Sequence, residues 1–357
     1  MKKFTKLALV SSLAISANAM AMQAMDDASL GATTGQDGIN IGIGISKIEI
    51  GKLYIHDNDG LNKYLNGGSA AVGTGDGSAG NDAEVLGSLG GTGTAGAIVI
   101  KGNGKTGDVN KDHGIVIGAN YDNAGAYLLA SRNLADLQID SDAGTGANGA
   151  FINIAAQVSG LDINIGEIGV TASGVAGAGA NAGTIRRGGK DDAGAGQNYN
   201  AILSGLSLKT GQMTANIQLG AAPQGAMIKL NTKMVGGLEI KNLGILDNST
   251  KQGTGDGTAG NRAAGEIFVE SIKVADANST DLTIKQSVSV IGKEGASNGY
   301  IRMVSSSGPI DTYVKGVHLG SRTAGSIGDV EVQGLQTYFS PAMGTYVPGS
   351  IITISGR

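Results

Sequence analysis

A chain of 357 residues with 62 glycines, no cysteine, no tryptophan and a formal charge of −4 at pH 7 departs from ordinary globular composition. The acidic balance argues against nucleic acid and anionic membrane surfaces as partners, and the lack of cysteine excludes disulfides. Aromatic residues make up 4% and apolar residues 41%, so the chain is not disordered throughout and its core has to come from Ile, Leu, Val and Ala.

Lys2, Lys3 and Lys6 precede an apolar run from Leu7 to Ile15, and small residues follow. This is the layout of a cleaved export signal, predicted to span 1–21 and to leave a chain starting at Met22. Its removal leaves 23 basic against 30 acidic residues. A short segment, 22–38, ends in Thr34-Gly35-Gln36-Asp37-Gly38-Ile39. The remainder, 39–357, reads as a β-rich body, with a division into two β subdomains placed near 174–196.

Ile39, Ile41, Ile43 and Ile45 alternate with Asn40, Gly42, Gly44 and Ser46, which predicts a strand with one apolar and one nearly bare face. The phase slips at Ile48 and Ile50 and again at Leu53 and Ile55, as two bulges or bends require. The same slip recurs around Gly160, Gly205, Gly237 and Gly316, each inside an apolar-x-Gly-Leu/Val-x-apolar pattern, with a partial copy at Gly334. Gly160, Gly205, Gly237 and Gly316 are predicted to sit at bulges, the first three with positive φ. Their spacing has no fixed period, which disfavours a regular solenoid.

Further strands are predicted at 97–101, 114–118, 126–130, 151–154, 213–219, 227–230, 266–274, 281–291, 300–304 and 351–354. Only 25–30 and 131–137 offer a turn or two of helix, because glycine interrupts the other windows. The stretch 73–81 matches 253–261 in eight of nine positions, a pattern equally suited to a duplication and to two low-complexity loops.

Chemical motifs are sparse. Gly91-x-Gly93-x-x-Gly96, and the like patterns at 75–80 and 255–260, need a helix after the third glycine to hold a pyrophosphate, and Ala97 to Ile100 reads instead as a strand. Gly104-Lys105-Thr106 lacks the first glycine of a phosphate loop. No cofactor is expected; Asp57-Asn58-Asp59-Gly60 offers oxygens to Ca²⁺ but suits a hairpin turn better. His56, His113 and His318 are far apart in unlike settings, so no nucleophilic triad or zinc site is indicated, and no enzyme.

The leader, the segment from Met22 to Leu30, the Thr-Gly-Gln-Asp-Gly-Ile motif and the Ile/Gly alternation together resemble the Fil-type pilus-system proteins of Gram-negative bacteria and, more loosely, the exported DUF6160 proteins. The resemblance implies a cell-surface role beside pilus- or fimbria-like components and supplies no catalytic residues. The fold expected is all-β: an elongated, bulged antiparallel sheet or sandwich with Gly-rich loops, an irregular β-solenoid being the alternative. The function expected is an exported structural component of a surface assembly concerned with attachment, located in the periplasm, outer membrane or cell surface. Its partners would be itself or other pilus-system proteins, and the assembly edge would be Ile39, Ile41, Gly42, Ile43 and Ile45. The alternatives are an outer-membrane β-barrel and a non-enzymatic ligand-binding surface module.

Overall fold

The computed structural model describes residues 38–61, 91–146, 149–192, 194, 196–248, 264–292 and 299–355. The predicted signal 1–21, the short helix at 25–30, the glycine patterns at 75–80 and 255–260 and the two echoing loops lie outside them.

The fold is all-β, and the strands of the described residues assemble into eight antiparallel passes. Pass 1 is β1 (Ile39–Ile43), β2 (Lys47–Ile50) and β3 (Lys52–His56); pass 2 returns as β4 (Gly96–Lys101), β5 (Ile115–Ala119) and β6 (Ala135–Asp142). Pass 3 is β7 (Phe151–Val158), β8 (Leu161–Ile165) and β9 (Glu167–Ala172); pass 4 is β10 (Tyr199–Leu203), β11 (Leu206–Lys209) and β12 (Met213–Gly220). Pass 5 is β13 (Ile228–Met234) and β14 (Leu238–Asp247), pass 6 is β15 (Gly265–Asp276) and β16 (Leu282–Ile291), and pass 7 is β17 (Tyr300–Ser305) and β18 (Ile310–Gly320). Pass 8 is β19 (Ser326–Leu335) and β22 (Ser350–Ser355), separated by the small hairpin β20 (Tyr338–Phe339) and β21 (Val347–Pro348).

Each pass pairs with the one before it and the one after it, and all the pairings are antiparallel. The same passes run through both large sheets, one of eight strands and one of twelve. This up-and-down order corrects the solenoid alternative, whose coils would stack in parallel. The stretch 174–196 joins β9 to β10, which pair directly. Pass 1 and pass 8 are the two lateral edges, and the sheet does not close into a barrel.

Alternation along every pass places aliphatic residues in rows that cross the whole sheet. One row reads Ile39, Ile139, Ile154, Ile217, Ile228, Val288, Met303, Ile352. A second reads Ile48, Ile117, Ile163, Leu208, Ile240, Ile272, Val314, Val330. A third, Leu53, Ile100, Ile168, Leu203, Ile245, Ile267, Leu319, spans seven passes. Each directly opposed pair contributes roughly 0.2–1 kcal/mol, so the rows hold neighbouring passes in register.

Among the described residues only eight apolar side chains are buried, Val99 most completely. The rows stay partly open to solvent: Ile39 is 61% exposed, Ile267 47%, Leu319 52% and Ile352 50%.

The phase slips fall at two lines of interruption. Within the larger sheet the line passes through Gly51, Gly114 and Gly166, tied by Gly114 N–H to the Gly51 carbonyl at 2.9 Å and Gly166 N–H to the Gly114 carbonyl at 2.7 Å. It continues through Gly205 (φ 109°), Asn242 (φ 58°) and Gly316 (φ 65°). The second line separates the two sheets at Ser159-Gly160, Thr210-Gly211 and Gly236-Gly237. There, side chains replace ladder bonds: Thr210 Oγ1 accepts from Leu161 N–H at 2.9 Å, and Ser159 Oγ donates to the Asn133 carbonyl at 2.7 Å while accepting from Leu129 N–H at 3.0 Å.

Two predicted elements are corrected. Residues 126–130 form a turn laid across this junction, held by Gly160 N–H on the Tyr127 carbonyl and Gln212 Nε2 on the Leu128 carbonyl. Where a helical turn is expected at 131–137, residues 131–134 are turn and irregular backbone and 135–137 open β6, in which Ala135, Leu137 and Ile139 alternate and face Ile43, Ile41 and Ile39. Positive φ is observed at Gly205, Gly237 and Gly316 but not at Gly160. Gly160 is required for a different reason: a Cβ there would lie 2.7 Å from both the Thr210 carbonyl oxygen and Tyr127 Cβ.

Candidate functional site

Two places in the fold stand out by their geometry. The first is the pair of lateral edges. Among the described residues, strand β1 holds Ile39, Ile41, Gly42 and Ile43 and pairs on one side only, with β6; Ile45 follows before β2 and is 43% exposed. Strands β2 and β3 also have a single partner each among the described residues, so the edge they leave open runs from Ile39 to His56. At the other side β19 and β22 are likewise paired once, with β18 and β17.

Sequence reasoning identified β1 but missed β19 and β22 as an opposing edge. The signal was present in Val330 and Val332 and in Ile352 and Ile354, each pair alternating, but edge position is a property of the topology.

The polar face carries a row of charge: Lys47, Gly118, Asp162, Lys209, Glu239, Lys273, Tyr313, Glu331. Lys209 Nζ bonds Asp122 at 2.6 Å and lies 3.7 Å from Asp162, which holds its ammonium above its ordinary range. Glu239 lies 3.0 Å from Lys241 and 3.7 Å from Lys273. Opposite charges thus alternate across the middle passes, and the row begins on a lysine and ends on a glutamate.

The second place is a cleft of about 910 Å³ beneath the segment that joins β9 to β10. Its floor is Lys52, Tyr54, His56 and Lys101, and its far wall includes Arg186, Arg187 and Asp192. Asp191 is fully buried behind it. Its carboxylate accepts from Tyr54 Oη at 2.7 Å and Lys52 Nζ at 2.9 Å, and Lys101 Nζ donates to its carbonyl at 2.8 Å.

Burial works against the Asp191 anion, but the Tyr54 hydroxyl and the Lys52 ammonium outweigh it and hold the carboxyl below its usual range. Burial also works against the Lys52 cation and is outweighed by Asp192 and Asp191, so Lys52 is raised. Burial together with Asp191 pushes Tyr54 up to about 12. Lys101 sits 3.7 Å over the Tyr199 ring, whose hydroxyl donates to Glu167 at 2.7 Å. His56 stacks on Tyr54 with ring centroids 5.6 Å apart, and its Nδ1 lies 2.8 Å from Ser173 Oγ. Burial and the neighbouring Arg187 lower its basicity.

The other singled-out residues stay apart. His113 approaches Glu49 at 3.7 Å, and His318 lies 3.3 Å from Glu270 and 2.6 Å from the Ala324 carbonyl. Asn58 gives its side-chain oxygen to Arg187 at 2.7 Å, and Asp57 accepts from Asp59 N–H, the bonding of a local turn. Among the described residues no three His, Asp or Glu side chains gather as a metal site. Gly96 leads directly into β4, so the pattern ending there opens a strand.

A model for a family of unknown function, DUF6160, matches residues 1–89. The described part of that match is pass 1, the open edge. No curated protein and no solved structure matches the chain. Among the described residues no helix is long and apolar enough to cross a membrane.

Proposed function

We propose that the protein is an exported structural component that assembles at the cell surface through the edges of its sheet, within a pilus- or fimbria-like system of the Fil type. The observation that supports this reading is the pair of edges, Ile39 to His56 and β19 with β22, that no described strand covers and at which the aliphatic rows end. Unpaired strand edges template the addition of another strand, and natural monomers usually blunt them with inward charge, proline or a covering segment. Strand β1 carries neither charge nor proline.

The experiment is fractionation with negative-stain microscopy of cells that make or lack the protein, together with sizing of the purified chain over a range of concentrations. Filaments or complexes that disappear with the protein are expected. A chain that remains monomeric at high concentration and retrieves no partner by crosslinking would overturn the proposal. A second reading, a ligand-binding surface module, is favoured by the cleft between Lys52 and Arg187, whose volume suits a small ligand.

A further inference from the structure

The two open edges are complementary to each other. We infer that one copy adds to the next head to tail, with β19 and β22 of the first pairing antiparallel to β2 and β1 of the second. This rests on the assembly reading above and specifies its partner as a second copy of the chain. Passes 1 and 8 run in opposite directions, as the first and last of an even number of antiparallel passes must, so stacking one copy on the next continues the alternation without a break.

The register follows from the rows. The row that ends at Val330 begins at Ile48, and placing Val330 against Ile48 sets Glu331 against Lys47 in the antiparallel ladder. The charged row then continues from a terminal glutamate to an initial lysine, both exposed. In the other sheet the row that ends at Ile352 meets the one that begins at Ile39. These two side chains are half or more exposed in the single chain and would cover each other.

The same register sets Glu49 opposite Asp329. Both carboxylates already have partners: Glu49 has Lys47 and His113, and Asp329 accepts from Tyr313 Oη at 2.5 Å and Gly316 N–H at 2.8 Å. Two copies of pass 8 centred on Val330 would oppose Glu331 to Asp329, and two copies of pass 1 joined through Lys47 would oppose lysine to lysine, both unfavourable directly across a ladder. Two copies of pass 1 centred on Ile48 would set Lys47 against Glu49 and form the competing arrangement.

The chain has no cysteine, so single cysteines report the contact without interference. Directly opposed residues have Cβ atoms about 4.5–5.5 Å apart, near enough for a disulfide with slight adjustment. Full-length Lys47→Cys and Glu331→Cys, mixed and oxidised at a concentration where the wild type assembles, should give a crosslinked dimer that neither gives alone. The double variant should give a ladder of multimers. Lys47→Glu alone should raise the concentration needed for assembly about fivefold, and adding Glu331→Lys should restore it.

A disulfide within a single chain of the double variant would overturn the inference, because the edges would then close on themselves. A Lys47→Cys homodimer in place of the mixed dimer would overturn it too. So would wild-type assembly without any mixed crosslink, in variants whose circular dichroism matches the wild type; that result leaves the assembly reading standing. A wild type that never assembles removes both.

Discussion

Asn110 reaches back from the loop between β4 and β5 and donates through Nδ2 to the Asn164 carbonyl at 3.1 Å, filling a gap in the ladder with a side chain. The same nitrogen bonds the His113 carbonyl at 3.0 Å, and the residue is almost wholly buried. The interruption beside Gly114 is thus closed by hydrogen bonds rather than by apolar packing. Asn110→Ala should cost roughly 1–3 kcal/mol by leaving these buried carbonyls unpaired. Urea denaturation should show a lower midpoint with an unchanged slope; an unshifted midpoint would mean that water satisfies the carbonyls equally well.

Asp191→Ala should destabilise by roughly 2–4 kcal/mol, toward the lower part of the range for a broken buried pair because Lys52 keeps Asp192 at 2.5 Å. Asp192→Ala, at an exposed carboxylate, should cost less than about 1 kcal/mol. Equal effects would show that the buried carboxylate is no better placed than the exposed one.

The pH profile has two limbs of opposite sign. Asp191 and Glu266 have folded pKa values below the unfolded carboxylate range, so their stabilisation is present above about pH 4 and is lost as pH falls through the folded values. Tyr54 is raised to about 12 and Lys52 is raised as well, so their stabilisation is complete below about pH 10 and is lost on going to higher pH. Denaturation midpoints measured from pH 3 to 11.5 should form a plateau between these limbs. Tyr54→Phe should flatten the alkaline limb and leave most of the acidic one; an identical alkaline limb in that variant would contradict the assignment.

The glycines differ in kind, and substitution should separate them. Gly160→Val meets the Thr210 carbonyl and Tyr127, and Gly205→Val sits at φ 109°, so each should lose roughly 1–3 kcal/mol. Gly51→Ala has no atom within 4 Å of the added Cβ and should fall within about 0.5 kcal/mol of the wild type. Thermal melts followed by circular dichroism would rank the three, and a Gly51 variant as unstable as the other two would undermine the contrast.

Alternation made the β class and many of the strands readable, because Ile39 to Ile43 or Met213 to Leu219 can bury one face only as strands. The phase slips at Gly205, Gly237 and Gly316 marked real interruptions for the same reason. Gly160 looked identical in sequence, yet its constraint is a long-range approach from Tyr127 and Thr210, which no local pattern encodes. In the stretch Ser131 to Leu137 only Ala135 onward is strand, and that identity comes from pairing with β1 and β7. The Asp191 cluster was invisible for a similar reason: Asp191 lies 139 residues from Lys52 and 137 from Tyr54 along the chain, and Lys190-Asp191-Asp192 reads locally as a solvated charged loop.

The up-and-down order also bears on how the chain acquires its structure. Every pass after the first finds its partner in the pass just made, so each step closes a local loop rather than a distant one, and the entropic cost of closure stays modest at every step. A chain that emerges from its N-terminus during synthesis can therefore zip its strands in order of arrival, with one growing margin offered to the next strand at each moment. Completion leaves that margin on pass 8, in the state that received every earlier strand.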